Sequence, residues 1–252
     1  MRRLLALAGL LAVAGCGDDG TISAGEGAKP QLVVSAASSM QEALTACAPG
    51  YADAELRLQF AGSDELAAQI RQDVPVDVFA AANTELPEAL EAEGKLETPV
   101  TFVSNELVLA VPAKDARVAS LADLERPGVT LVIGAEGVPV GDYTRKVLDG
   151  LGAARSRAVL ANVRSNEPDV KGVVGKLAQG AADAGFVYLT DVEAAGERLT
   201  AIELPAELDP SATYAAGVVK AAKRPEAAEA FVDDLLAGGC HTALLEAGFG
   251  EP

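Results

Sequence analysis

The sequence predicts an α/β protein of two lobes with a ligand cleft between them. Three observations predict it. Short apolar runs alternate with segments of helical period, the pattern of strands and helices layered against each other. Aromatic residues make up only 4% of the 252 residues and Trp is absent, so the core must rest on Val, Leu, Ile and Ala. The alternation breaks near Asn105, starts again, and closes with one strand and two helices. The chain is therefore expected to build one α/β unit, cross to a second, and return.

The elements follow in order. Gln31 to Ala36 reads as the first strand, and Ser39 with Glu42 reads as a capping box for the helix after it. Met40, Ala43, Leu44 and Cys47 share a face of that helix. Glu55 to Phe60 alternates as a strand, and Ala61-Gly62-Ser63 turns into a helix with Leu66 and Ile70 one turn apart. Val76 to Ala81 is a third strand, followed by a helix from about Leu86 to Gly94, a residue suited to end it. Glu106 to Val111 begins the second set. Ser120 is expected to cap a short helix, Leu121 to Leu124, before a strand at Val129 to Ile133. A loop from Gly134 to Pro139 leads into a helix ending at Gly150. Val159 to Ala161 reads as a strand. Pro168 reads as a first-turn proline of a helix striped by Val170, Val173, Val174 and Leu177. Gly185 to Tyr188 and Thr213 to Lys220 are strands, and Pro225 to Leu236 and Cys240 to Ala247 are helices. The division expected is 31–105 with 216–252 as lobe 1 and 106–215 as lobe 2.

Charge limits the partners. The formal net charge of −17 argues against nucleic acid, whose phosphates demand a basic face, and against anionic lipid held by electrostatics. An anion-binding site on such a chain must attract locally. The N-terminus reads as a processing signal: Arg2 and Arg3, then an apolar stretch from Leu4 to Val13 too short to span a bilayer. Val13-Ala14-Gly15-Cys16 resembles the lipobox of bacterial lipoproteins. Residues 1–15 are then a signal peptide and Cys16 carries the lipid. Asp18 to Lys29 is rich in Gly, Ser and acids and reads as part of a tether spanning 16–30. Export leaves Cys47 and Cys240 where disulfides persist, so they are expected to pair.

Four places place small or hydroxyl residues where a strand gives way to a helix: Ser38-Ser39, Gly62-Ser63, Pro139-Val140-Gly141 and Asp169-Val170. Each offers unpaired N–H groups and the positive end of a helix dipole. Any one alone is ordinary capping. Converging, they would hold a dianion without a cationic side chain, and ligands of open α/β sheets sit outside the carboxyl ends of strands.

These residues resemble a family, the periplasmic molybdate-binding proteins of ABC importers, over nearly the whole chain after the tether. The motifs are Val34-Ser35-Ala36-Ala37-Ser38-Ser39, Phe60-Ala61-Gly62-Ser63 with Leu66-Ala67-Ala68-Gln69-Ile70, and Pro75-Val76-Asp77-Val78-Phe79-Ala80-Ala81. Val138-Pro139-Val140-Gly141-Asp142-Tyr143, Asp169-Val170-Lys171, Gly185-Phe186-Val187-Tyr188 and the ending Leu244 to Phe249 complete the set. The resemblance implies a type II periplasmic-binding-protein fold and a ligand, molybdate or tungstate, with no cofactor and no metal beyond that oxyanion. It assigns the shell to the hydroxyl and N–H of Ser38 and of Ser63, the N–H groups of Val140 and Val170, and the Tyr188 hydroxyl. That is about seven charge-assisted hydrogen bonds at roughly 1.5–3 kcal/mol each, a gross sum that must also cover dehydration and lobe closure. It further implies a monomeric, non-enzymatic extracytoplasmic protein that delivers its ligand to a membrane permease, and the lipobox adds a membrane anchor at Cys16.

Two departures stand out. Val140 occupies a place where the family more often has alanine, and Asp64-Glu65 follow Ser63 where small hydroxyl residues are common. Acids in a first turn stabilise helices; an Asp64 facing the ligand would repel it. His241 reads as a surface residue. Lys171 reads as solvated and Tyr143 as core. With one His and no CxxC, a zinc-type site is not expected, and no Ser-His-Asp set is visible. Two other readings stay open: a sulfate or phosphate receptor on the same fold, and a bilobal sensory or enzymatic domain, which would need a catalytic cysteine, cofactor anchor or DNA-binding extension.

Overall fold

The structure, a computed structural model, describes residues 29–252. Residues 1–28, with Cys16, the signal segment and most of the expected tether, lie outside the described part. Three parallel strands begin the fold: β1 (Gln31–Ala37), β2 (Glu55–Ala61) and β3 (Val78–Ala81), in the order β2-β1-β3. Their connections are α1 (Gln41–Cys47), reached through one turn of tighter helix, and α2 (Ser63–Arg71). After α3 (Glu85–Ala92) the chain enters β4 (Val100–Pro112), a strand of 13 residues. The remaining strands are β5 (Leu131–Gly134), β6 (Val163–Glu167), β7 (Ala184–Tyr188), β8 (Leu199–Ile202) and β9 (Ser211–Val218). The helices after β4 are α4 (Pro139–Gly150), α5 (Ala153–Leu160), α6 (Val170–Ala178) and α7 (Leu189–Ala195), with α8 (Pro225–Ala237) and α9 (Gly239–Glu246) at the end.

Two strands join the lobes. β9 pairs antiparallel with β3 through Ala215–Val218 and with β4 through Val100–Glu106. Beyond that point β4 pairs instead with β7, from Leu107 to Ala110, and with β8. β7, β5 and β6 then form a second parallel set. The strand path is thus β2-β1-β3-β9-β4-β7-β5-β6. It is two sheets that share β4, with the change of partner at Glu106 and Leu107. The C-terminus is clamped there, since Ser104 and Gly250 exchange backbone hydrogen bonds. α8 packs on β9, and α9 packs on α1, so the last helices return to the first lobe. Cys47 on α1 and Cys240 on α9 are joined, S–S 2.09 Å and Cα–Cα 5.1 Å.

The structure corrects the sequence reading in several places. Val159 lies in α5 rather than in a strand; the strand is Val163–Glu167, whose alternation of polar residues fits its place at the end of the sheet. β4 starts six residues before Glu106, because its first half is the crossing itself. β8 and α7 carried no distinct pattern. The capping box at Ser39 does not form: no side chain caps α1, and the Ser39 hydroxyl is 2.9 Å from that of Tyr214. Ser120 likewise makes no side-chain cap. Pro168 stands before the helix rather than in its first turn; Asp169 is the N-cap, and its carboxylate accepts from the Gly172 N–H at 2.9 Å. His241 is mostly covered, its Nδ1 2.9 Å from the Leu235 carbonyl oxygen.

Candidate functional site: a hydroxyl- and amide-lined cavity between the lobes

Both parallel sets end at the same place. In the first lobe β1 runs into Ser38, β2 into Gly62-Ser63, and β3 into Ala82. In the second lobe β5 leads to Val138-Pro139-Val140, β6 to Asp169-Val170, and β7 ends on Tyr188. All of these residues line one small cavity with about 210 Å³ of empty space. The five residues expected to form the shell, Ser38, Ser63, Val140, Val170 and Tyr188, are each no more than 5% exposed.

The local chemistry makes these groups donors. Ser63 Oγ accepts from the Ala82 N–H at 3.1 Å, which leaves its own proton free for the cavity. Val140 is the second residue of α4 and Val170 the first of α6. N–H groups in a first helical turn have no carbonyl partner within the helix, and both stand at the positive end of a dipole. The Tyr188 hydroxyl is buried with no partner among the described residues. Burial, with Tyr214, Tyr143 and Asp191 nearby, pushes its pKa well above the ordinary value, so it stays a neutral donor. Among the described residues, no Lys or Arg side chain lines the cavity. The one carboxylate among those residues, Asp169, already accepts from Gly172.

Two glycines permit this convergence. A Cβ on Gly62 would sit 2.4 Å from the Pro168 carbonyl oxygen, so the second loop of one lobe touches the other lobe directly. A Cβ on Gly141 would sit 2.0 Å from the Ala135 carbonyl oxygen, so only glycine lets α4 start this close to the end of β5.

Behind the cavity lies a buried polar chain that the sequence did not reveal. Tyr214, on β9, reaches Ser39 with its hydroxyl and packs edge-on against Tyr188 with ring centroids 5.9 Å apart. Asn105, on β4, donates to Thr190 Oγ1 at 2.9 Å. Asp191 is wholly buried; its Oδ2 accepts from the Tyr188 N–H at 3.2 Å and its Oδ1 from Lys171 Nζ at 3.0 Å. Burial raises its pKa to about 6 against the pull of Lys171. Lys171 is therefore not solvated as the sequence suggested: it also pairs with Glu42 at 2.7 Å. Asp64 does not line the cavity, but its Oδ1 is buried without a partner, and burial raises its pKa. Tyr143 is half-buried against the core.

The profile of a family described as bacterial extracellular solute-binding proteins matches residues 32–250. The chain belongs to that family. It is 32% identical to the molybdate-binding protein ModA of Mycobacterium tuberculosis, over 98% of this chain and 94% of the relative. The substrate-binding domain assigned to a molybdenum ABC transporter of Clostridium difficile superposes with a TM-score of 0.67 at 29% identity, covering 89% of this chain and all of that one. The periplasmic molybdate-binding protein of Azotobacter vinelandii superposes with a TM-score of 0.76 at 23% identity, covering 88% and 99%. The two-lobed α/β fold is thus a shared one, and the family's members bind solutes outside the cytoplasm.

Proposed function

We propose that this protein captures molybdate, or tungstate, outside the cytoplasm and delivers it to the membrane permease of an ABC importer. The observation that carries the proposal is the cavity wall: Ser38, Ser63, Val140, Val170 and Tyr188 present hydroxyl and amide donors to one shared space, with no cationic side chain among the described residues that line it. Fixed dipoles of this kind stabilise a buried dianion without a counter-charge. A fully deprotonated tetrahedral anion accepts at every oxygen. Phosphate at neutral pH carries a proton that needs an acceptor, and Asp169 is already engaged. Sulfate remains the nearer alternative, differing from molybdate in radius rather than in charge. A sensory or enzymatic role draws no support from the cavity: among the described residues, its serine hydroxyls make no hydrogen bond to a carboxylate or an imidazole.

The proposed lobes are 31–105 with 216–252, and 106–215, the division falling inside β4 and β9. Ser38 and Ser63 then belong to one lobe, and Val140, Val170 and Tyr188 to the other, so the ligand bridges them and favours closure. The protein acts as a monomer with no cofactor and no resident metal. It is held at the membrane by lipid on Cys16, while residues 1–15 are removed. Calorimetric titration with molybdate, tungstate, sulfate and phosphate tests the function. Molybdate and tungstate are expected to bind at least tenfold more tightly than the others. Equal or tighter sulfate binding would replace the ligand assignment, and no binding of any of the four would overturn the proposal. Fractionation of a Cys16→Ser variant tests the anchor: it should lose its membrane association, and a variant that stays with membranes as the wild type does would refute it.

A further inference from the structure

Lys171 occupies a position that the donor shell does not explain. It is the second residue of α6, directly after Val170. Its ammonium group lies between two carboxylates on different elements. One is Asp191 on α7, at 3.0 Å and wholly buried; the other is Glu42 on α1, at 2.7 Å and half exposed. The same Asp191 holds the backbone N–H of Tyr188. Glu42 belongs to the helix entered through Ser38 and Ser39. Lys171 thus ties together three helices that each begin at or close to a cavity-lining residue, and its bond to Glu42 crosses from one lobe to the other. The lysine side chain is 23% exposed, so the pair is partly withdrawn from solvent and less screened than a surface ion pair. Burial works against its charge, and Asp191 and Glu42 more than offset this, so the ammonium form is favoured.

We propose that Lys171 is a positioning residue for oxyanion capture: with Asp191 it fixes the β7–α7 corner that carries Tyr188, and with Glu42 it forms an ionic latch between the two lobes. The latch exists only when the lobes are closed, so it slows ligand escape without touching the ligand. Its effect falls on dissociation, because the encounter takes place with the open form, in which the bond to Glu42 is absent. This rests on the reading of the cavity as an oxyanion site.

Stopped-flow measurement of molybdate release from the purified full-length protein tests it, with a series of salt concentrations. Glu42→Gln removes the cross-lobe bond at a half-exposed position and leaves the buried pair intact. It should release molybdate about two- to fivefold faster, the range for a partly exposed ion pair, with association unchanged. Added salt should speed release from the wild type more than from this variant. Lys171→Met should release faster still, since Asp191 and the Tyr188 corner lose their support. The double variant should then release no faster than Lys171→Met alone. If Lys171→Met does not fold, Glu42→Gln and the salt series decide the matter alone. Release rates and salt dependence in Glu42→Gln equal to those of the wild type would overturn the latch while leaving the site intact. Failure of the wild type to bind molybdate, tungstate or sulfate would overturn the oxyanion reading instead, and the latch with it.

Discussion

Replacing Ser63 by alanine separates two effects that the structure assigns to one hydroxyl. Ser63 Oγ accepts from the buried Ala82 N–H at 3.1 Å and has a proton left for the ligand. A hydrogen bond to a charged group contributes about 1.5–3 kcal/mol. At 1.4 kcal/mol per tenfold, the variant should bind molybdate about 10- to 150-fold more weakly. The other effect needs no ligand. Ala82 loses its acceptor, and an orphaned buried donor costs about 1–3 kcal/mol, here toward the lower end because water entering an open cleft can take its place. Thermal unfolding of the unliganded variant should therefore fall by a few degrees at most, at about 2–4 °C per kcal/mol for a chain of this size. Calorimetry measures the first effect and thermal unfolding the second. Affinity within twofold of the wild type, in a variant whose melting temperature has dropped, would show that Ser63 supports the β3 turn and nothing more, and would refute the donor-shell reasoning.

Other substitutions probe the remaining parts. Tyr188→Phe removes the unpartnered buried hydroxyl and should weaken molybdate binding roughly tenfold or more with little loss of stability; unchanged affinity would remove Tyr188 from the shell. Tyr214→Phe keeps the ring packing against Tyr188 and Phe249 but cuts the link to Ser39. Calorimetry should show a several-fold loss of affinity that is not compounded by Ser39→Ala, and fully additive losses would argue against one connected chain. Asp191 gives a pH dependence: its pKa in the fold, about 6, lies above the ordinary 3.8. Its contribution to stability is therefore fully present below about pH 4 and is lost as pH rises through 6. Urea unfolding of the wild type against Asp191→Asn between pH 4 and 7 should show this component in the wild type alone. Removing the disulfide by Cys47→Ala with Cys240→Ala should destabilise the protein by up to about 5 kcal/mol in the chain-entropy model, while molybdate affinity of the folded variant stays within a few-fold of the wild type.

The parts of the fold that were legible in the sequence are those whose pattern records burial. β1, β3, β5 and β7 are apolar runs because helices cover them, and the turns at Ser38, Ser63, Pro139 and Asp169 show the small and hydroxyl residues that helix starts use. Strand β6 was misplaced because Val163-Arg164-Ser165-Asn166-Glu167 lies at the end of the sheet, where half its side chains face water. The first half of β4 was missed because a crossing strand has two sets of partners and no single alternation. In the site, residues that act through local backbone geometry could be read directly. Those that act through distant partners could not: Tyr214 meets Ser39 across 175 positions and Lys171 meets Glu42 across 129. No local pattern encodes such meetings. Lys171 beside Val170 looked solvated because nothing nearby in sequence announces Asp191 or Glu42.

The bond between Cys47 and Cys240 spans 193 positions and has a consequence for how the chain assembles. Strands β1 to β3 come early, but the strand that completes their sheet, β9, and the helix that covers α1 come last. The strands of the other lobe, β5 to β7, lie between them in one continuous stretch. A chain delivered N-terminus first therefore has all the parts of the lobe formed by 106–215 before the lobe formed by 31–105 and 216–252 can close. Until then, β3 exposes an edge that only β9 satisfies. Formation of this disulfide marks the arrival of the last helix, so its appearance over time would serve as a clock for completion of the whole molecule. Shortening the C-terminus by one helix would be felt first in the strands nearest the N-terminus.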